Sequence, residues 1–210
     1  MKNGKKKRAA QILESLQQEF PDAGTMLDFG DTFQLLVAVV LSAQSTDAQV
    51  NRVTSQVFSR YQTASDFAAA NLEELEEAIR GGGLFRTKAS NIQKIARILL
   101  EQYQGQVPGD FEELLKMPGI GRKTAYVMMS VGFNKPGLGV DTHVHRVSNR
   151  LGLVAEKTAD KTELALKAII PRQQWSQAHH LLIFHGRQTC LARRPKCPTC
   201  VINSLCDQRL

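Results

Sequence analysis

The sequence has little that could span a bilayer, direct secretion or pair into sheets. Its longest apolar run lies within Phe33–Leu41, far short of the ~20 residues that cross a membrane. The opening MKNGKKKR is charged, but no apolar stretch follows it, which excludes a secretory signal. Strict apolar–polar alternation is missing, and with it the half-buried strand. There is no internal repeat and no low-complexity tract. Cysteine is absent before position 190, so the cysteines are not scattered as independent structural ones would be. These absences leave a cytoplasmic chain of the all-α class.

What is present then sets the size and the partner. The 210 residues allow one or two compact domains, and 42% hydrophobic residues supply a core without staples. A formal charge of +7 and a pI near 9.4 favour a polyanion, nucleic acid first. The competing reading is a basic surface with no partner. Lys2, Lys5, Lys6, Lys7 and Arg8 read as a solvated, frayed N-terminus, or as a weak phosphate contact.

Helix signals recur along the chain. Asp31-Thr-Phe-Gln34 has the form of a capping box before LLVAVVLSAQ. Asn71-Leu-Glu-Glu74 opens a helix that Gly81-Gly82-Gly83 stops. Lys88–Tyr103 carries Ile92, Ile95, Ile98 and Leu99 at helical spacing. Asp110 is placed to cap FEELLKM, and Asp160-Lys-Thr-Glu163 to cap ELALKAII. Pro136-Gly137 marks a domain boundary.

The four cysteines, Cys190, Cys197, Cys200 and Cys206, form C-x6-C-x2-C-x5-C. Clustered thiols in an intracellular chain point to a soft metal. Four thiolates suit tetrahedral zinc or a [4Fe-4S] cluster, and spacing does not choose between them. A thioredoxin-type pair lacks its βαβ unit. Haem attachment fails because Val201 stands where His is needed. Two disulfides remain as an alternative. Between the first two cysteines, Arg193, Arg194 and Lys196 would project from a metal-held loop toward phosphates.

LLKMPGIGRKTAYV, residues 114–127, reads as a tight hairpin between two helices. Gly119 and Gly121 permit close backbone approach, with Ile120 between them. The N–H groups of a helix beginning near Arg122 suit a phosphate. Lys123 falls in that helix's first turn. The helix dipole, Arg122 and partial burial would each favour its neutral amine, which can attack an electrophilic carbon and form a Schiff base. The plainer reading is a phosphate-binding or solvated lysine. Further on, Asp141 in VDTHVHRV is placed to cap a helix. A carboxylate there would also stabilise positive charge building on a sugar as a glycosidic bond breaks. His143 and His145 are read as polar contacts, not metal ligands.

LSAQSTD (41–47), GLFRTKA (83–89), MPGIGRKTA (117–125), VDTHVHR (140–146), HGRQTC (185–190) and the cysteine pattern together resemble the endonuclease III family. It belongs to the helix-hairpin-helix superfamily of DNA glycosylases. The resemblance covers nearly the whole chain. It implies a bifunctional DNA glycosylase and abasic-site lyase acting on oxidised pyrimidines in double-stranded DNA. It also implies a monomer, bacterial and nucleoid-associated. Lys123 matches the nucleophile, Asp141 the catalytic aspartate, and the four cysteines the ligands of a [4Fe-4S] cluster. The implied architecture is a six-helix barrel over residues 25–135 and a cluster domain from 1–24 and 136–210, with DNA in the cleft between them. Gln44 matches the side chain that fills the space left by an extruded nucleotide, and Leu84 the wedge against the orphaned base. His143 and the hairpin residues Gly119, Ile120, Gly121 and Arg122 fall among the implied DNA contacts.

The chain departs from the family after Leu84, where Phe85-Arg86 replaces a frequent Tyr-Asn. Arg86 would add a phosphate contact or alter opposite-base choice. The alternatives are a monofunctional glycosylase using activated water, and a DNA-binding module without catalysis.

Overall fold

The computed structural model describes residues 2–81 and 83–208, and within them the chain is helical with no strand. In chain order the helices are α1 (Lys2–Glu19), α2 (Thr32–Leu41), α3 (Asp47–Arg60), α4 (Ala64–Ala69), α5 (Leu72–Ala78) and α6 (Phe85–Tyr103). There follow α7 (Phe111–Leu115), α8 (Arg122–Val127), α9 (Thr142–Arg150), α10 (Ala159–Ile169) and α11 (Trp175–Gln188). Two compact units result: Met26–Asn134, and Met1–Thr25 with Lys135–Leu210. No helix among the described residues is long and apolar enough to cross a membrane.

The continuous unit is built around α2. Phe33 and every residue from Leu35 to Leu41 are buried. A helix apolar on all sides must be surrounded, and residues from α3, α4, α5, α6 and α8 share its core. Asp31 caps α2 by accepting the Gln34 N–H at 2.8 Å. The Gln34 side chain reaches one residue past a capping box and accepts the Gly30 N–H at 2.8 Å. Thr46, Thr63, Asn71 and Asp110 cap α3, α4, α5 and α7, each contributing about 1 kcal/mol. α5 ends at Ala78, before the glycines expected to stop it; Gly82 lies outside the described residues. α6 starts three residues earlier than Lys88 and buries Lys88, Ala89, Ile92, Gln93, Ile95, Ala96 and Leu99.

In the other unit, the expected frayed N-terminus is instead the first turns of α1. Ala9, Ile12, Leu13 and Leu16 form a stripe at helical spacing in a core with Val144, Val147, Leu181 and Leu182. Burial of about four such side chains outweighs the unfavourable lysine run. Arg8 pairs with Asp207 and donates to the Gly152 carbonyl at 2.8 Å. α10 is capped by Thr158, not by Asp160: the Thr158 hydroxyl accepts the Lys161 N–H at 3.4 Å. Asp160 then sits inside the first turn, where a carboxylate faces the positive end of the dipole.

Candidate functional site

The hairpin follows α7. The Ile120 N–H donates to the Met117 carbonyl at 3.2 Å, closing a tight turn. Gly119 has φ +79°, and a Cβ there would lie 2.5 Å from Asn91 Nδ2, so the fold itself demands glycine. Gly121 differs: its φ is −98°, and a Cβ would meet nothing among the described residues within 4 Å. Ile120, named among the DNA contacts that the resemblance implies, has a side chain only 6% exposed that belongs to the core. Its branched chain anchors the turn, and its amide is already used.

α8 begins at Arg122 with no side-chain cap from Gly121. The Arg122 guanidinium lies over the rings of Phe111 and Tyr126, 5.4 and 5.6 Å from their centroids. Those rings stack at 4.3 Å, so the cation is held flat against the hairpin. Lys123 is exposed. The partial burial expected for it is absent; proximity to the helix N-terminus and to Arg122 remains. α8 passes directly into a π-helical turn, Met128–Gly132, a rare form often found beside functional residues.

Gln44 and Leu84 occupy two loop tips of the same unit. Both have left-handed backbones, φ 56° each, and Leu84 is 58% exposed. The tips are neighbours: a Cβ on Gly83 would sit 3.5 Å from the Gln44 carbonyl, and the Gln49 side chain donates to the Gly81 carbonyl. Arg86 is exposed, with Nε 3.8 Å from a Glu76 carboxylate oxygen.

Asp141 belongs to the other unit and caps α9. Its Oδ1 accepts the His143 and Val144 N–H groups, both at 2.8 Å. Buried His179 donates from Nδ1 to the Gly139 carbonyl at 2.7 Å, fixing the segment that delivers Asp141. His143 Nδ1 lies 3.3 Å from Arg146 Nη2, and His145 Nδ1 lies 2.8 Å from the Thr162 hydroxyl.

The far end of α9 holds the cysteine loop. Arg146 donates to the carbonyls of Gly186 (2.9 Å) and Cys190 (3.1 Å). Arg150 donates to the carbonyls of Leu191 (2.6 Å) and Ala192 (3.0 Å) and to Cys190 Sγ (3.7 Å). The sequence signal for this pair is its i, i+4 spacing on the helix that follows Asp141. Arg193, Arg194 and Lys196 are exposed on the loop so held.

All four cysteines are free thiols, which removes the disulfide alternative. They line one pocket together with Leu151, His185 and Lys196. Burial pushes the Cys200 and Cys206 thiols up. Arg150 Nη1 and the Gln208 amide, 3.3 Å from Cys206 Sγ, donate toward sulfur, which suits thiolate acceptors. Among the described residues, no three His, Cys, Asp or Glu side chains are gathered as ligands of a single metal ion. Four thiols with N–H donors directed at sulfur are a donor set that suits a soft metal group.

The family described as HhH-GPD superfamily base excision DNA repair protein matches residues 37–172. Endonuclease III of Bacillus subtilis (strain 168) is 48% identical over 197 residues, covering 93% of this chain and 90% of its own length. Endonuclease III of Escherichia coli (strain K12) is 40% identical over 204 residues, covering 97% of each. A solved trapped covalent intermediate of endonuclease III with DNA, an estranged-adenine complex, aligns with a TM-score of 0.93 at 48% identity. That alignment covers 97% of this chain and 96% of the other. A thermostable thymine-DNA glycosylase aligns with a TM-score of 0.84 at 25% identity, covering 98% and 97%. The chain belongs to the HhH-GPD superfamily of base excision DNA repair proteins, and within it to the endonuclease III family.

Proposed function

We infer that the protein is a bifunctional DNA glycosylase and abasic-site lyase of base excision repair, taking oxidised pyrimidines as substrates and acting as a monomer on duplex DNA. The observation that carries this reading is Lys123, exposed two residues beyond Gly121. Among the described residues nothing lies within 4 Å of where a Cβ on that glycine would stand, and a phosphate backbone can close on it.

In the proposed course, the hairpin and the Arg193–Lys196 loop take up phosphates, and the damaged nucleotide leaves the stack. Gln44 enters the vacated space and Leu84 supports the orphaned base. The Lys123 amine forms a bond to C1′ as the glycosidic C1′–N bond breaks, and the base departs with a proton. Asp141 stabilises the cationic sugar. Both hydrogen bonds that it receives as a cap fall on one oxygen, so the cap itself does not use Oδ2. The sugar ring opens to an imine on Lys123, which acidifies C2′. Loss of a C2′ proton then breaks the C3′–O3′ bond, and water releases the lysine.

Cys190, Cys197, Cys200 and Cys206 would hold a [4Fe-4S] cluster, with Arg146 and Arg150 keeping their loop against α9. When bound, the cluster supplies a rigid cross-link, since base excision and β-elimination need no redox step.

The test is incubation with a thymine-glycol duplex: nicking, and a covalent adduct under borohydride, are expected. Intact DNA would point to a binding module, and excision without an adduct to a water-using glycosylase.

Two glycines separate folding from binding. Gly119→Ala forces a left-handed backbone and a clash with Asn91, and should cost about 2 kcal/mol in urea denaturation. Gly121→Ala should cost less than about 1 kcal/mol, yet weaken duplex binding at least about 10-fold by obstructing phosphate approach. Equal losses of stability in both would contradict this assignment. Arg193→Ala should weaken binding to all sequences alike and lower the slope of log K against log salt by about 1. An unchanged slope would remove Arg193 from the phosphate contacts.

A further inference from the structure

Lys88 lies on the core-facing stripe of α6, four residues before Ile92, and is only 4% exposed. An ammonium there is costly to bury, and burial pushes its pKa down. A methionine or leucine would satisfy the stripe better. The reason for a lysine lies in what its side chain reaches from a helix whose first turn is anchored on Leu84. Its backbone N–H donates to the Leu84 carbonyl at 3.1 Å. Its Nζ donates to the Leu41 carbonyl at 2.7 Å and to the Ser45 hydroxyl at 3.2 Å. Leu41 is the last residue of α2, whose final carbonyls have no partner within the helix. Leu41 and Ser45 stand on either side of Gln44.

One residue therefore grips both loop tips. Both tips are under backbone strain, since left-handed conformations at Gln44 and Leu84 persist only where surroundings over-determine them. Cutting the tie would let each tip relax separately.

We propose that Lys88 is a positioning residue that locks the Gln44 and Leu84 tips into a single two-pronged wedge, so that both enter the duplex in one step. This rests on the proposed roles of Gln44 and Leu84 in nucleotide extrusion. Lys88 touches neither DNA nor the reacting atoms; it acts through the two tips.

The test uses the full-length protein and a thymine-glycol duplex carrying 2-aminopurine beside the lesion, whose fluorescence rises on unstacking. Lys88→Met keeps the stem and removes both Nζ bonds. Its unstacking rate should fall at least about 10-fold. Affinity for undamaged duplex should change less than about 2-fold, because the phosphate contacts lie elsewhere. In the wild type, Gln44→Ala and Leu84→Ala should be non-additive in that rate; in the Lys88→Met background they should become additive.

A wild-type unstacking rate in Lys88→Met would overturn the proposal. So would an equal fall in undamaged-duplex affinity, which would mark a merely structural role. Ser45→Ala removes one of the two bonds and leaves the core untouched; it should slow unstacking about 3-fold, and no slowing would also count against the proposal if Lys88→Met fails to fold. If the wild type neither unstacks nor excises, the glycosylase reading itself fails. If it does both and the variants match it, only the role of Lys88 fails.

Discussion

Lys123→Ala is expected to lower base excision and strand cleavage together, by at least about 10³-fold, because one amine serves both steps. The side chain is exposed, so its loss should leave the melting temperature nearly unchanged. Duplex affinity should fall only by the share of one phosphate-facing cation. The informative comparison is between reactions. A lysine that merely binds phosphate would raise KM and leave the single-turnover rate intact. A nucleophile lowers the single-turnover rate at saturating enzyme and removes the borohydride-trapped adduct. Single-turnover gels on thymine-glycol and abasic duplexes separate the two. Retained cleavage of the abasic duplex in the variant would transfer the Schiff base to another amine.

Cys200→Ser is expected to have the second-largest effect. The thiol lines the shared cavity, and in the proposed holoprotein its loss opens the cross-link that pins the C-terminal loop. A loss of about 3 kcal/mol or more corresponds to a fall in melting temperature of roughly 6–12 °C for a chain of this size. Duplex affinity should drop about 10-fold, since Arg193, Arg194 and Lys196 depend on that loop for position. Thermal denaturation followed by circular dichroism, with iron and sulfide analysis, checks the first part. A wild-type protein that is colourless and carries one zinc would replace the iron–sulfur assignment. An unchanged melting temperature in the variant would deny the cysteines a structural role.

Caps and apolar periodicity made most of the helical fold legible from sequence. Asp31, Asn71 and Asp110 cap the helices they were expected to cap, because a short polar side chain before an apolar stripe has few other uses. Asp160 misleads because Thr158, two residues earlier, takes the cap although threonine is the weaker capping residue of the two; as an N-terminal carboxylate Asp160 still faces the favourable end of the dipole. The N-terminal lysines Lys5, Lys6 and Lys7 are exposed as expected, but the segment is helical instead of frayed. The buried stripe from Ala9 to Leu16 decides the matter, and its partners are more than a hundred residues away.

The candidate site was legible where its chemistry is concentrated in a short motif. The cysteine spacing and PGIGRK carry their meaning locally. Ile120 did not, because periodicity breaks down across a turn and gives no face to its side chain. Lys88 lay in view within GLFRTKA, on the same stripe as Ile92 and Leu99. A lysine on an apolar stripe is the signal, but its partners, Leu41 and Ser45, are identifiable only after folding. For Arg146 and Arg150 the i, i+4 spacing is visible in sequence, but their backbone-carbonyl partners are identifiable only after folding.

The most direct test is to locate the covalent bond. The wild-type protein is reacted with a thymine-glycol duplex under borohydride, digested, and the DNA-bearing peptide sequenced by mass spectrometry. The added mass is expected on Lys123, within the peptide that follows the Gly119–Gly121 turn. A sugar remnant on any other lysine, or on the N-terminal amine, would contradict the account.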